Sequence, residues 1–278
     1  MDAKHKTILI TGSTDGVGRR VAERLGAAGA TILIHGRDAE RAASLKATIA
    51  RAGGEAAVYL ADFSSLAEAR ALAEAVARDH PRLDVLINNA GIGVGGPGAG
   101  RETSRDGCEL RFAVNYLAGF LLTRLLLPRV VAARGRIVNV ASIGQQAIDF
   151  SDVMLTQGYS GRRAYCQSKL AEIMFAFDLA AELEGAGVVV NALHPATYMD
   201  TTMARRDGVE PLSSVDEGAE AILRLAVAPL GEGESGRYYD GLRPARANPQ
   251  AYDADARARL RALSLALAGL EPSSTAQP

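Results

Sequence analysis

The sequence contains no tryptophan, only two cysteines and only four histidines in 278 residues. Cys108 and Cys166 are too few and too far apart for a disulfide scaffold or a four-cysteine zinc site, so a reducing cytoplasm is the expected location. His5, His35, His80 and His194 never fall three to five residues apart, which excludes a helical histidine pair as a metal centre. Neither sign of charge dominates: 31 Lys and Arg face 32 Asp and Glu, a net charge of −1. With no block of like charge, nothing marks a surface for nucleic acid or an anionic membrane. Long apolar runs are missing as well. Val114 to Thr123 is interrupted by Arg124, short of the ~20 residues that a membrane span needs. Lys4 and Lys6 precede an apolar stretch that runs into Thr11-Gly12 with no small-residue cleavage site, so it reads as a first strand rather than a leader.

What is present is a periodic alternation. With 48% hydrophobic residues the chain can wrap one core, and residues 1–278 are read as a single domain. Short β-branched or apolar runs occur at Thr7–Ile10, Thr31–Ile34, Ala57–Leu60, Val85–Ile87, Arg136–Val140, Val188–Leu193 and Gly236–Tyr239. Between them lie stretches of helical spacing, such as Val21, Leu25 and Ala28 before Gly29, and Leu66, Leu72 and Val76 before Pro81. Such strand–helix units predict an α/β fold: a doubly wound, Rossmann-type parallel sheet of about seven strands covered by helices on both faces. Ligands of such sheets bind at the carboxyl ends of the strands. Gly91 to Gly100 reads as a flexible glycine run, residues 248–269 as a C-terminal amphipathic helix, and residues 271–278 as a frayed tail.

The first strand ends in Thr11-Gly12-Ser13-Thr14-Asp15-Gly16-Val17-Gly18 and leads directly into a helix. Glycines let backbone N–H groups approach a pyrophosphate at a helix N-terminus, whose partial positive charge favours the anion. Strand before and helix after supply the context that a bare glycine triplet lacks. The spacing resembles the T-G-x-x-x-G-x-G signature of the short-chain dehydrogenase/reductase family. Asp62, Asn88-Asn89-Ala90-Gly91, Asn115, Ser142 and Tyr165-Cys166-Gln167-Ser168-Lys169 follow in that family's order. Val114-Asn115-Tyr116-Leu117, Ala164 to Leu170 and the long interval from Ser142 to Tyr165 are similar to its retinol-dehydrogenase-like branch.

That resemblance implies an NAD(P)-dependent oxidoreductase acting on a carbonyl or alcohol. Asp62 would hydrogen-bond the adenine, Asn89 would line the adenosine pocket and brace the central strand, and Phe63, Ala90, Gly91 and Pro195 would add cofactor contacts. Asn115 would anchor a water relaying protons from Lys169. One departure stands at His194-Pro195-Ala196-Thr197-Tyr198-Met199-Asp200-Thr201. Ala196 replaces a customary glycine, so either Thr197 or Thr201 would bond the nicotinamide carboxamide.

The second strand ends at His35-Gly36-Arg37-Asp38, where the cofactor ribose should lie. An acid there accepts from ribose hydroxyls, whereas an arginine accommodates a 2′-phosphate. Gly36 takes the acidic position and Arg37 follows, which favours NADP(H) over NAD(H). Asp38, about 20 residues beyond the last motif glycine, is the competing ribose ligand, but it also reads as the N-cap of Ala39-Glu40-Arg41.

Tyr165 and Lys169, four apart, share one helical face. An ammonium about 4–5 Å from a phenol lowers its pKa by some 2–3 units at an effective dielectric of ~20. Tyr165 would then serve as acid and base toward the substrate oxygen, Lys169 would also hold the nicotinamide ribose, and Ser142 would hydrogen-bond that oxygen. The competing pair, Tyr159 with Arg163, lacks the lysine's donor geometry.

Specificity is expected from Ile92 to Arg105, Gly144 to Gly161 and Met199 to Val209. Ile92, Val94, Ile148, Phe150, Met154, Leu155, Tyr159, Tyr198 and Met203 suggest a small-molecule apolar carbonyl or alcohol as substrate. Leu117, Phe120 and Leu121, with Leu170, Ile173, Met174 and Phe177, form apolar faces that predict a homo-oligomer, dimer or tetramer, across these helices. Two other readings of the same fold remain: a catalytically silent cofactor-sensing regulator, and a dehydratase or epimerase.

Overall fold

The computed structural model describes residues 3–271 apart from 97, 230 and 232; the expected tail beyond 271 lies outside the described residues. β1 (Thr7–Ile10), β2 (Thr31–Gly36), β3 (Glu55–Leu60), β4 (Val85–Asn88), β5 (Arg136–Val140), β6 (Val189–His194) and β7 (Arg237–Asp240) pair in parallel in the order 3-2-1-4-5-6-7. An eighth strand, β8 (Arg243–Ala245), pairs antiparallel with β7. It adds one short strand to the seven runs read in the sequence. Three residues with a central proline carry too little periodicity to read as a strand, and proline is tolerated there because β8 is an edge.

The apolar residues of each strand divide between two helical layers because successive side chains point to opposite faces. Ile8, Ile10, Ile32, Ile34, Val138 and Val140 join the core under α1 (Gly16–Ala27), α2 (Ala39–Arg51) and α7 (Val215–Val227). Leu9, Leu33, Leu86, Ile137 and Val190 join the other core, under α3 (Leu66–Asp79), α4 (Ala118–Ala133) and α5 (Gly161–Glu182). The short α6 (Thr202–Arg206) lies in the segment after β6.

The C-terminal helix is shorter than expected and in two pieces: a 3-10 turn, Pro249–Tyr252, then α8 (Ala254–Leu267), capped by Asp253. It lies on the face that was expected to need a second copy of the chain. Leu117, Phe120, Leu121, Leu170, Ile173 and Met174 are all buried within the one chain. Tyr116, Phe120, Met174 and Phe175 line a small crevice together with Arg257, Leu260 and Arg261 of α8. These apolar side chains of α4 and α5 are therefore covered within the chain itself.

The helical segment Phe112–Ala133 spans 22 residues, and its most apolar window has a mean hydropathy of 1.5. It is long and apolar enough to cross a membrane by composition, which corrects the expectation that no segment is. In the fold about half of that apolar stretch is buried, packed against α3 and α5, and Arg124 within it pairs with Glu182.

Candidate active site

The glycine turn between β1 and α1 is held open for close approach. Gly12 and Gly16 sit at φ +63° and +52°, where only glycine is unstrained. A Cβ at Gly12 would come within 2.8 Å of the Ala90 Cα, and one at Gly18 within 2.5 Å of the Gly12 carbonyl oxygen. Asn89 locks this arrangement: its Nδ2 donates to the carbonyls of Thr11 (2.8 Å) and Gly12 (3.2 Å). The Asn89 and Ala90 N–H groups both donate to Thr11 Oγ1. Asp15 caps α1 through the Gly16 N–H.

His35, which sequence reasoning did not select, supports the turn from beneath. The Gly12 N–H donates to its Nδ1 at 3.1 Å, so Nε2 carries the proton and donates to the Ala61 carbonyl at 3.2 Å. Phe63 stacks on this imidazole with ring centroids 4.3 Å apart. Its ring is therefore buried packing, and only its backbone can face a nucleotide. Burial pushes the imidazole pKa down to about 4.

At the end of β2, Arg37 is exposed and makes no hydrogen bond or ion pair among the described residues. Asp38 is the N-cap of α2, accepting from the Glu40 and Arg41 N–H groups, and Arg41 also pairs with Asp15 at 3.0 Å. Gly36 is enforced sterically, since a Cβ there would lie 2.5 Å from the Thr14 side chain. Asp62 accepts from the Ser64 N–H. Burial raises its carboxyl pKa, but that hydrogen bond with Arg37 and Arg105 outweighs burial and holds it below the usual range.

On the other side of the crevice, residues Phe112–Leu117 form a π-helical turn, a wide turn often found at functional sites. Asn115 sits in it, buried, its Oδ1 accepting from the Ile92 N–H (2.8 Å) and its Nδ2 donating to Ser168 Oγ (2.9 Å). It thus ties the segment after β4 to α5.

Lys169 Nζ donates to the Val140 carbonyl at 2.9 Å and stands 5.9 Å from the Tyr165 ring centroid. A Cβ at Gly91 would lie 3.4 Å from Asn115 Oδ1 and 3.5 Å from Lys169 Nζ, and one at Gly144 would lie 3.5 Å from Ser142 Oγ and 3.7 Å from the Tyr165 ring. Gly91 thus stands beside Asn115 and Lys169, and Gly144 beside Ser142 and Tyr165, the two pairs being joined by the approach of Lys169 to the Tyr165 ring. Ser142 Oγ accepts from the Gly144 N–H, leaving its own proton for another acceptor, while the Tyr238 hydroxyl donates to the Ser142 carbonyl. Burial lowers the lysine pKa, but the neighbouring Glu172 carboxylate and Tyr165 outweigh burial and hold the ammonium's proton on.

Pro195 is buried, and Thr197 Oγ1 lies 3.0 Å from His194 Nε2, so its hydroxyl already has a partner within the chain. A Cβ at Gly16 would lie 3.3 Å from the Thr201 methyl, which brings Thr201 to the glycine turn. Among the specificity segments, Ile148 and Leu155 are core residues, while Tyr198 and Met203 stay exposed. Tyr159 is not free either: its hydroxyl bonds Arg111 and Glu109, a buried cluster that the sequence did not reveal. Asp207 straps two of the expected specificity segments together by accepting from the Val94 and Gly95 N–H groups. A cleft of about 320 Å³ beside Ser142 is lined by Ile143, Gln145, Tyr238, Asp240, Arg246 and Asn248.

A dinucleotide cradle at the end of a parallel sheet, with a tyrosine, lysine and serine converging beside it, defines a Rossmann-fold oxidoreductase. The sequence matches the family model of the short chain dehydrogenases over residues 6–210. Human retinol dehydrogenase 13 is 36% identical over 299 aligned residues, covering 98% of this chain and 88% of that protein. Among solved structures, an uncharacterized protein from Mycobacterium paratuberculosis aligns with a TM-score of 0.80 at 30% identity, covering 96% and 95% of the two chains. A metagenomic short-chain oxidoreductase in complex with NADP aligns with a TM-score of 0.68 at 27% identity, covering 89% and 100%. The chain belongs to the short-chain dehydrogenase/reductase family, in its retinol-dehydrogenase-like branch, and is an NAD(P)-dependent oxidoreductase.

Proposed function

We propose that the protein interconverts an apolar carbonyl compound and its alcohol using NADP(H), with Tyr165 moving the proton at the substrate oxygen. The observation that carries this reading is the Tyr165 hydroxyl. It makes no hydrogen bond among the described residues, although its ring borders Gly144 together with Ser142 and stands 5.9 Å from the buried ammonium of Lys169, whose proton is held on. A phenol so placed is left with its proton to give.

The glycine cradle and the free Arg37 suit a phosphorylated dinucleotide, and bound nicotinamide would supply or accept the hydride. Backbone N–H groups of Gly12 to Gly18 at the start of α1 would hold the pyrophosphate. Arg37 would meet the 2′-phosphate, which supports NADP(H) over NAD(H), and Asp62 with Asn89, Ala90 and Gly91 would line the adenosine side. Pro195 with Thr197 or Thr201 would border the nicotinamide. In reduction, Ser142 donates to the carbonyl oxygen, Tyr165 gives its proton to the developing alkoxide, and the Lys169 charge stabilises the tyrosinate left behind. Asn115 keeps the segment after β4 seated against α5. In oxidation the same groups act in reverse.

The similarity to human retinol dehydrogenase 13 supports an apolar alcohol as the substrate type, and the NADP-bound neighbour supports the cofactor. Cys108 and Cys166 are free, buried thiols, which supports a cytoplasmic setting. The test is nicotinamide absorbance with NADPH or NADH against a panel of apolar aldehydes, ketones and alcohols. Turnover with NADPH preferred is expected. Tight cofactor binding with no turnover across the panel would instead favour a cofactor sensor.

A further inference from the structure

Three residues beyond Lys169, in the otherwise apolar run Leu170-Ala171-Glu172-Ile173-Met174, stands a glutamate. It is buried, 3% exposed, as is Lys169 at 4%. Its Oε2 lies 2.9 Å from Lys169 Nζ, and its backbone carbonyl accepts from Asn139 Nδ2 of β5 at 2.9 Å. Apart from the ammonium, neither carboxylate oxygen has a hydrogen-bond partner among the described residues. A buried carboxylate with a single cationic neighbour and unfilled acceptor sites is costly to keep charged, and a proton shared with that neighbour relieves the cost.

We propose that Glu172 is a positioning residue that sets how much positive charge Lys169 presents to Tyr165, and so the pH at which Tyr165 gives up its proton. This rests on Tyr165 and Lys169 acting as argued above. With Glu172 protonated, Lys169 faces Tyr165 as an unopposed cation and favours tyrosinate. With Glu172 ionised, the pair is nearly neutral at a distance, the field at Tyr165 weakens, and the phenol keeps its proton. The device therefore maintains the proton-donating form of Tyr165, the form needed for carbonyl reduction, as pH rises.

The surroundings leave this charge to Glu172. Lys169 is the charged group that acts on it, and burial outweighs the lysine's pull, moving the carboxyl up to about 7. Neighbouring elements present the amides of Asn139 from β5 and Asn115 from the π-helical turn, and β7 brings the Tyr238 hydroxyl, which donates to the Ser142 carbonyl and whose pKa burial pushes up. At the end of β6, burial pushes the His194 pKa down in spite of Asp240. The arginines that α4 and α8 bring to α5 are engaged further along it, Arg124 with Glu182 and Arg261 with Asp178.

The experiment compares the parent with Glu172→Gln, which keeps the shape and removes the ionisable charge. Tyrosine labelled with ¹³C at Cζ is titrated by NMR, the Tyr165 resonance being assigned by its loss in Tyr165→Phe. In Glu172→Gln the Tyr165 inflection should move down by about one pH unit. The pH profile of kcat for alcohol oxidation should shift by the same amount. An unmoved Tyr165 titration in a folded Glu172→Gln protein overturns the proposal. The titration needs no turnover, so an inactive parent would sink the catalytic reading while leaving this test intact. Should Glu172→Gln fail to fold, the parent decides. Its Tyr165 resonance should show a second inflection within about one unit of pH 7 together with a titrating glutamate carboxyl, and a Tyr165 resonance flat through that range overturns the proposal.

Discussion

The hydroxyls of Tyr116 and Ser264 lie 2.7 Å apart, both buried, and join the π-helical turn beside the active site to the C-terminal helix. Around this contact α8 seals an apolar face of α4 and α5, reinforced by the Arg261–Asp178 pair at 2.8 Å. Deleting residues 253–278 would expose that face, and light scattering should then show a larger particle than the full-length chain. An unchanged particle mass would mean that α8 does not act as the cover. Leu260→Ala, at a nearly fully buried site, should cost about 2–4 kcal/mol by denaturant titration.

Tyr165→Phe deletes the proton donor and retains the ring. NADPH affinity, measured by fluorescence titration, should stay nearly unchanged, while kcat falls about 10²–10⁴-fold. Turnover close to that of the parent would require another donor at the site.

Cofactor choice should follow Arg37. Arg37→Ala is expected to lower kcat/KM for NADPH by about 1.5–3 kcal/mol in transition-state terms, the worth of a charge-assisted hydrogen bond, with NADH nearly untouched. Gly36→Asp alone should damage both cofactors, because its Cβ runs into the Thr14 side chain. Combined with Thr14→Ala it should favour NADH, its carboxylate accepting from the ribose hydroxyls and repelling a 2′-phosphate. Equal losses for both cofactors in Arg37→Ala would remove Arg37 from the ribose site.

His35 predicts a pH dependence of stability. Its pKa is about 4 in the fold against 6.5 as the ordinary value, so between those limits the unfolded chain binds the extra proton. Stability from this group is complete above pH 6.5 and is lost as pH falls toward 4, by roughly 3 kcal/mol at most. Glu172, whose pKa is raised, acts with the opposite sign, so the readout is the difference between the parent and His35→Gln. The parent should lose more stability than the variant across that window, in parallel with weaker NADPH binding as the Gly12 N–H loses its acceptor. Identical slopes would contradict the assignment.

The parallel strands, the glycine turn and the Tyr165–Lys169 pair were legible because each is written in short-range periodicity: alternation in a strand, spacing of four in a helix, glycine where φ turns positive. Asp38 illustrates a limit. Its position allowed both a ribose ligand and a helix cap, and the cap is what the folded chain shows. β8 is too short to carry a pattern, and nothing local announced that the Phe63 ring would stack on His35.

The sequence by itself determined the order of strands and helices, the glycine turn after β1 and the four-residue spacing of Tyr165 and Lys169, since backbone turns and helical spacing are local properties. Tertiary structure alone decided what surrounds them. Whether Glu172 meets solvent or a buried ammonium depends on how α5 is covered, and whether the apolar faces of α4 and α5 need a partner copy depends on α8, whose Ser264 meets Tyr116 across 148 positions. Burial and partner choice are set by residues distant in the chain, and they fix the charge at the site: Arg37 without an ion pair among the described residues, His35 kept neutral, and Lys169 held against Glu172.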